Sequence, residues 1–538
     1  MASSIDATQP PAINPTTAAM RANMAAAKSE IEQLQGNVGN LRINPSTFLL
    51  ERWDAATGVY VAAGVSTSTD ASGNTVLVGA DGTFAIGYKR YNILNNGAKA
   101  DGIVVYDAAL TATTKALTSA SNPFKPTDVG KLFYLHNGLA SRSAFIYGTI
   151  TGYNGAGSVT VDNNPIGGAI TGGVLIFATN DLVAIEATIA AVYAAGGGSV
   201  EWPVGITMSR SADYGSVDVP QGVNLVGQGI AKTSAHAGAL EYECGCTWIS
   251  IAAVGQAVKL GTGSHPRRAS SSIQGMFVDG AASSQTIYNA WLEAEIKDCQ
   301  IAGQNVAAYG LNGIYDSYLM SAHNNNTIQC TGDSRIHNNW IMGGGSGAGT
   351  TKATIWTNTS DDVSIIGNHI MVGDATIANN SRGILINSGG TAINKGGILV
   401  ANNKFDSSEG EHIEVRATET STLRSVSIIG NIGMQEDAMP DDTYPAIRLV
   451  SAAGATIDGL MIQNNNFRSS WNDPAQGTYK HFFDVSALLG TNRAGNISNN
   501  TCLGVALTRG VYSSGATPSG VTSSNNQIMR TDGTVVTG

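Results

Sequence analysis

Acidic residues recur at one spacing in the C-terminal part of the chain. Six positions past a repeated asparagine stand Asp374, Glu409, Asp437 and, last, Asp532, with Asp406, Glu411 and Glu436 close by. If the repeats stack as parallel strands, their rungs lie about 4.8 Å apart, and acids on successive rungs fall in the range that glycoside cleavage uses. That range is about 5 to 5.5 Å for a retaining pair and about 6.5 to 9.5 Å for an inverting one. Stacked carboxyls also raise one another's pKa, which lets one stay protonated as a general acid. The densest run is Asp406-Ser407-Ser408-Glu409-Gly410-Glu411-His412-Ile413-Glu414-Val415-Arg416. Strand alternation sends Ile413 and Val415 inward and Glu414 and Arg416 outward. The acid pair expected from this pattern is Glu409 with Asp374 or Asp437, with Glu411 as substitute. The competing reading is a solvated turn that happens to be acidic.

One position past the same asparagine, where side chains should face outward, come Trp340, His369, Lys404, Ile432, Asn466, Thr501 and Gln527. Trp340 and His369 fall on adjacent repeats and offer flat faces for sugar rings, although a single tryptophan is as readily a packing residue. An elimination mechanism would instead set a cation beside an acidic sugar, and Arg382, Lys404, Arg416, Arg448 and Arg468 are candidates. The substrate-binding set expected is Trp340, His369, Lys404 and Arg416.

Metal chemistry finds no motif: there is no His-Glu-x-x-His, no zinc-spaced Cys/His set and no EF-hand loop. No metal or other cofactor is expected. The doublets Asp361-Asp362 and Asp441-Asp442 read as exposed turns, with calcium between loops as the alternative. The glycine run 343–349 lacks the Gly-Lys-Ser/Thr ending of a phosphate loop. Five scattered cysteines, Cys244, Cys246, Cys299, Cys330 and Cys502, read as reduced buried thiols.

These residues need something to hold them in register, and the asparagines supply it. Asn339, Asn368, Asn403, Asn431, Asn465, Asn500 and Asn526 follow at intervals of 29, 35, 28, 34, 35 and 26 residues. Three positions before them stand Ile336, Ile365, Val400, Ile428, Ile462, Ile497 and Ser523; two after stand Ile341, Ile370, Phe405, Gly433, Phe467, Cys502 and Ile528. A period in this range marks stacked units that cannot bury an apolar face alone. The asparagine is expected to stack, to satisfy the polar groups of a turn, and to tolerate a left-handed bend. Only Gly433 and Ser523 break the apolar columns.

Upstream the text changes character. Met20, Met24, Ala27, Ile31 and Leu34 keep heptad spacing within Thr16 to Gln35, which predicts a short helical stem or an amphipathic helix. Residues 45–90 alternate in short strands broken by turn signals and predict a small β connector. Composition fits strands and turns: 65 Gly, 14 Pro and 13% charged residues, against roughly 25% charged in an average globular chain. The net charge of -10 argues against nucleic acid as a partner. No apolar run is long enough to insert in a membrane, and no secretory signal is visible.

At Tyr91 the chain reads YNILNNGAKADG, and after an interruption NDLVAIEATIAAVYAAGGGSVEWPVG and VDVPQGVNLVGQG. These phrases resemble the opening of pectin-lyase-like right-handed parallel β-helices, through Gly97, Ala98, Asp101 and Gly102, through Gly196 to Gly198, Val200, Pro203 and Gly205, and through Pro220, Gly222, Val223, Leu225, Gly227 and Gly229. The resemblance implies that the helix with Leu182, Ile185, Ile189 and Val192 on one face, capped by Thr179 or Asn180, closes the end of the coil. The interruption resembles a β insertion found at this place in bacteriophage tailspikes. The expected fold is therefore all-β: a right-handed parallel β-helix with a short N-terminal helical stem and small β modules. Its parts are a virion-attachment segment with the heptad helix over 1–44, a connector over 45–90, the coil over 91–102 and 179–538, and the insertion over 103–178. The resemblance implies a homotrimeric tailspike or tail fibre, a component of the virion tail that is extracellular during host attachment. It would dock on phage tail proteins through its N-terminus, bind a bacterial surface polysaccharide (capsule or lipopolysaccharide) and cleave it, by hydrolysis rather than elimination. The rivals are a receptor-binding fibre without catalysis and a secreted bacterial polysaccharide lyase.

Overall fold

In the computed structural model, the N-terminal unit, Met1–Arg90, is described through the backbones of Leu41–Ile43, Leu50–Asp54, Val59–Ala62, Ser66–Thr69 and Thr75–Val78. The second unit, Tyr91–Gly538, is described except for 112, 138–144, 164–167, 230–241, 243–244, 253–254, 263–270, 282–284, 290–293, 304–306, 309–310, 322–325, 331, 344–352, 359–360, 372–381, 390–393, 409, 436–443, 470–477, 506–510 and 515–516. Within the first unit, Leu41–Ile43, Leu50–Asp54 and Val59–Ala62 form an antiparallel sheet, and Ser66–Thr69 pairs with Thr75–Val78. The heptad segment expected over 16–35 lies outside the described residues.

From Tyr91 the chain coils into three long parallel sheets, of 15, 13 and 10 strands among the described residues. One turn shows the plan. Ser364–Ile366 runs in the first sheet, His369–Met371 in the second and Ile384–Asn387 in the third. The chain then returns as Asn394–Ala401, paired in parallel with Ser364–Ile366. This is the parallel β-helix, the expected fold. Both apolar columns run through its interior: Ile336, Ile365, Val400, Ile428, Ile462 and Ile497 pair rung to rung in the first sheet, and Ile341 to Ile528 do so in the second. Each fully buried Ile, Val or Phe contributes about 1.5 to 3 kcal/mol. Gly433 breaks the second column because Phe405 and Phe467, above and below it, already fill its space: a Cβ there would stand 2.9 Å from the Phe467 ring and 3.0 Å from Phe405 Cβ. Gly433→Val is expected to lower stability by about 1 to 3 kcal/mol, read as a shifted denaturant midpoint. An unchanged midpoint would mean that the two phenyl rings leave room between them.

The corner between the first and second sheets divides its work between two residues. The ladder asparagines are all buried. Asn368 Nδ2 donates to Asn403 Oδ1 at 2.9 Å and to the Ile336 carbonyl at 2.8 Å, and the pattern repeats through Asn500 to Asn526. The left-handed bend is not made by these asparagines, as expected from sequence, but by the residue before each one: Asn338, Gly367, Asn402, Gly430, Asn464, Asn499 and Asn525, with φ from 55° to 68°. Stacking needs a buried amide, whereas the bend needs a residue that tolerates positive φ, and no single position meets both demands. The ladder also begins earlier than the asparagines do. By register, Cys246, Met276, Cys299 and Ser317 hold the same place on preceding turns. Cys246 Sγ donates to the Trp202 carbonyl at 3.3 Å and Cys299 Sγ to the Ile273 carbonyl at 3.3 Å, a weaker form of the asparagine bond. Cys246, Cys299, Cys330 and Cys502 are buried free thiols, and burial pushes Cys299 and Cys330 up to about 12. They are packing residues rather than nucleophiles.

Helix Leu182–Ala194 closes the first turn of the coil. Ala184, Ile185, Thr188, Ile189 and Val192 are buried, and its apolar face shares one core with Trp202, Val219 and Leu225. Asn180 Oδ1 accepts the Leu182 N–H at 3.2 Å at its start. Thr179 instead binds Asp101. The neighbouring Asp181 carboxylate accepts the amides of Lys99 and Ala100 at 2.8 and 3.1 Å, which ties the Gly97 to Gly102 turn to the helix.

The interruption folds as a closed antiparallel barrel of six strands from Ile103–Leu110 to Ile170–Ala178 with its own core, including Leu117, Phe133, Ile150, Val159 and Phe177. Alternation along Leu132–His136 and Ile170–Ala178 puts a second apolar set on the barrel's outside. Leu132, Tyr134, Val174 and Ile176 pack against Ile206, Ile249, Phe277 and Tyr318 of the coil's second sheet. The barrel thus covers the outer face of the first turns of that sheet. Trp340 and Met342 lie partly buried at its margin.

Candidate functional site

Where the cover ends, two outward columns of the second sheet meet. Consecutive strands align Tyr318, Trp340, His369 and Lys404 in one, and Met320, Met342, Met371 and Asp406 in the other. The rings of Tyr318 and Trp340 stand 5.7 Å apart at 23°, and those of Trp340 and His369 4.3 Å apart at 38°. Thioethers fix both larger rings: the Tyr318 hydroxyl donates to Met342 Sδ at 3.0 Å and the Trp340 N–H to Met371 Sδ at 3.3 Å.

His369 is held from the other side by Asp406. Its Nε2 lies 3.1 Å from Asp406 Oδ2, and the Lys404 ammonium lies 3.4 Å from the same oxygen. The hydrogen bond from His369, aided by the charge of Lys404, outweighs burial and holds Asp406 below the usual carboxylate range. Exposure rises along the cluster, from 19% at Asp406 and 21% at His369 to 48% at Lys404. The arrangement is an imidazole braced between an indole and a carboxylate, with an ammonium open to solvent beside it.

Three of the four residues expected to bind substrate, Trp340, His369 and Lys404, therefore stand together. The Trp340 face that meets His369 is not available as a platform for a sugar. A rung spacing near 4.8 Å turns neighbouring rings toward each other, so the indole supports the histidine instead. Alternation could have found Asp406, since it lies two residues beyond Lys404 on the same face. It sits three places past the ladder asparagine, not six.

Arg416 belongs to a different cluster, on the outer face of the third sheet. There Leu385, Glu414, Arg448 and Asp484 align by register. Glu414 points away from the coil's interior, as expected, yet is fully buried. Its Oε2 lies 2.5 Å from Arg382 Nε, and its Oε1 accepts the Arg416 Nε–H at 2.8 Å. Glu411 is also buried, 3.6 Å from Arg382 and 3.1 Å from Arg448. Arg448 in turn lies 3.6 Å from Asp484. Burial opposes the charge of Arg448, but the carboxylates of Glu411, Glu414 and Asp484 outweigh it and raise its pKa. This is a closed ionic network in which both glutamates face arginines.

Glu409, Asp374 and Asp437 lie outside the described residues. Each falls, on successive turns, between a strand of the second sheet and a strand of the third: 369–371 to 384–387, 404–408 to 413–417, and 432–435 to 447–451. Among the described residues no group of His, Cys, Asp and Glu is arranged to hold a metal ion, and no helix is long and apolar enough to cross a membrane.

No protein-family model matches the sequence, and no curated protein matches it. Solved structures show distant similarity. The A-module of the Azotobacter vinelandii mannuronan C-5 epimerase AlgE4 is 16% identical with a TM-score of 0.37, over 64% of this chain and 96% of that one. DFA-IIIase from Arthrobacter chlorophenolicus A6 without its lid is 13% identical with a TM-score of 0.41, over 65% and 95%. PfbA, a surface adhesin of Streptococcus pneumoniae, is 11% identical with a TM-score of 0.37, over 65% and 87%. Likenesses at this level say nothing of what the chain acts on.

Proposed function

We propose that the chain is a homotrimeric phage tailspike, attached to the virion tail through its N-terminus, that binds a bacterial surface polysaccharide and cleaves it. The observation that carries the chemical part is the Lys404, Asp406 and His369 cluster, backed by Trp340 at the margin of the barrel-covered face. It joins a positioned proton-transfer group to a solvent-open charge on the side of a long rigid coil, where an extended polymer can lie. The virion role rests on the opening motifs and on the order of stem, connector, insertion and coil in the sequence.

Capsule and lipopolysaccharide from a susceptible host test this reading directly. The protein is expected to release oligosaccharides from one of them. Trp340→Ala, which removes the support of His369, is expected to slow release by about 10²-fold, the scale of a small misplacement of a reacting group. Binding without release would make the chain a receptor-binding fibre, and neither binding nor release would overturn the reading. Antibody against the chain should label purified virions; its absence there would favour a free enzyme. Hydrolysis through Glu409 with Asp374 or Asp437 is one form of the cleavage step, tested by Glu409→Gln.

A further inference from the structure

The outer face of the first sheet carries a separate group of side chains able to do chemistry, on the turns around Arg335–His337. Ile314, Ile336 and Ile365 point into the coil there. Their neighbours therefore point out, in two columns: Tyr315, His337 and Ile366 in one, Gly313, Arg335 and Ser364 in the other. Across these columns His337 Nε2 lies 2.7 Å from Ser364 Oγ. The Tyr315 ring meets the imidazole edge-on, at 5.7 Å and 75°. That ring lies down over Gly313: a Cβ there would collide with Tyr315 Cε2 and stand 2.7 Å from its hydroxyl. Glycine thus lets the phenol fill the place beside Arg335 and wall the histidine. Burial, and then the charge of Arg335, lower the pKa of His337 from 6.5. At neutral pH the ring is uncharged and keeps a lone pair for a proton.

We propose that Ser364 and His337 form a nucleophile and base that hydrolyse short-chain acyl esters, with Arg335 facing the oxyanion. This activity lies beyond polysaccharide cleavage and does not depend on it. A neutral imidazole with its proton on Nδ1 accepts the serine hydroxyl through Nε2, and so activates a weak nucleophile. Ser364 Oγ bonds to the ester carbonyl carbon while its proton passes to His337 Nε2. The carbonyl π pair moves to oxygen, where the exposed Arg335, next to Ser364 in its column, meets the charge. The bond to the alcohol oxygen then breaks, and the imidazolium gives that oxygen its proton. Water attacks the acyl-serine, His337 again takes the proton, and serine leaves with it restored. The sum is ester and water to carboxylic acid and alcohol. Among the described residues no carboxylate is hydrogen-bonded to His337. Such a base suits an ester, whose alkoxide leaves readily, better than an amide. The walls are strand side chains of one outer face, Tyr315, Arg335 and Ile366, which fits a small acyl group such as acetyl. Ser364 and His337 are the catalytic residues and Tyr315 is a positioning residue.

The test uses the full chain and p-nitrophenyl acetate, with no polysaccharide present, so its outcome is separate from that of the capsule assays. The wild type is expected to release p-nitrophenolate over many turnovers, and peptide mass spectrometry after an acid quench to find acetyl on Ser364. Ser364→Ala and His337→Gln should each lower kcat by roughly 10²-fold or more, with denaturant midpoints unchanged. Ser364→Cys keeps a nucleophile at this place and should still take up acetyl. Arg335→Gln should lower kcat by roughly 10²-fold with KM little changed. Tyr315→Phe should match the wild type, while Tyr315→Ala lowers kcat and leaves KM alone, the mark of a displaced imidazole rather than of lost binding. Turnover that survives in Ser364→Ala, acetyl found only on other residues, or no release by the wild type would overturn the proposal.

Discussion

Replacing Asn431 with alanine should destabilise the coil by roughly 3 to 6 kcal/mol, while Asn402→Gly, at the corner one turn away, should stay within about 1 kcal/mol of the wild type. Asn431 Oδ1 accepts both the backbone N–H of Asn403 at 3.0 Å and its Nδ2 at 2.9 Å, and Asn431 Nδ2 donates to the Val400 carbonyl at 3.0 Å. All of these contacts are buried. Alanine leaves the Asn403 amide and the Val400 carbonyl without these partners in the buried corner. Each orphaned group costs about 1 to 3 kcal/mol. Asn402 is exposed at φ 55°, a conformation glycine adopts without strain. Urea or guanidinium midpoints compare the two variants, with an unchanged slope confirming that the folded state is the same. Equal losses at both positions would show that the ladder bonds do not hold the turns together.

The same division of labour explains how much of the fold could be read from the chain. From Arg335 onward an asparagine marks every turn, and apolar residues at fixed offsets mark the strands on either side, so register follows from counting. Before Arg335 the ladder place is taken by Cys246, Met276, Cys299 and Ser317, so no single residue type marks every turn. The thiols and the hydroxyl among them keep a reduced share of the hydrogen bonding. The turns from Gly198–Trp202 to Leu311–Tyr315 were therefore legible only through the opening motifs.

The site was legible in outline and not in its working arrangement. Counting from the asparagines puts Trp340, His369 and Lys404 in one outward column. It does not say that the indole would turn its face to the imidazole, since that depends on the distance between rungs and on the thioethers of Met342 and Met371. Nor does it say which outward residues are open. Glu414 points outward and is fully buried, whereas Lys404 points outward and is half exposed. Outward is a property of the strand, but exposed is a property of what packs over it. The barrel shares one core with Phe277 and Tyr318, with Trp340 and Met342 partly buried against it, and two rungs beyond Trp340 the outward Lys404 is half exposed. Insertion and site are linked in this way, although 103–178 and 369–406 lie far apart in the chain.

Lowering the pH from about 6.5 toward 3 should remove roughly 4 to 5 kcal/mol of stability through one residue, His412. Its ring lies wholly inside the coil, parallel to Phe467 at 4.8 Å, with Phe405 at 5.2 Å, and its Nε2 shares a hydrogen bond of 2.6 Å with the Tyr479 hydroxyl. Burial disfavours the charged imidazolium and lowers the pKa from 6.5 to about 3. Above 6.5 the residue is neutral in both the folded and the unfolded chain and has no effect on the balance. Below it the unfolded chain gains a proton that the folded one refuses, so stability falls with pH until the folded pKa is reached. At about pH 5 the loss is about 2 kcal/mol. The variant His412→Phe with Tyr479→Phe keeps an aromatic ring at each place and deletes the titrating group. Its stability at neutral pH can shift by any constant amount, because the readout is the slope between pH 7 and 4. That slope should be shallower than in the wild type by the stated amount. Parallel curves would mean that His412 is protonated inside the coil without penalty, and the acid response would then have to be carried by other groups.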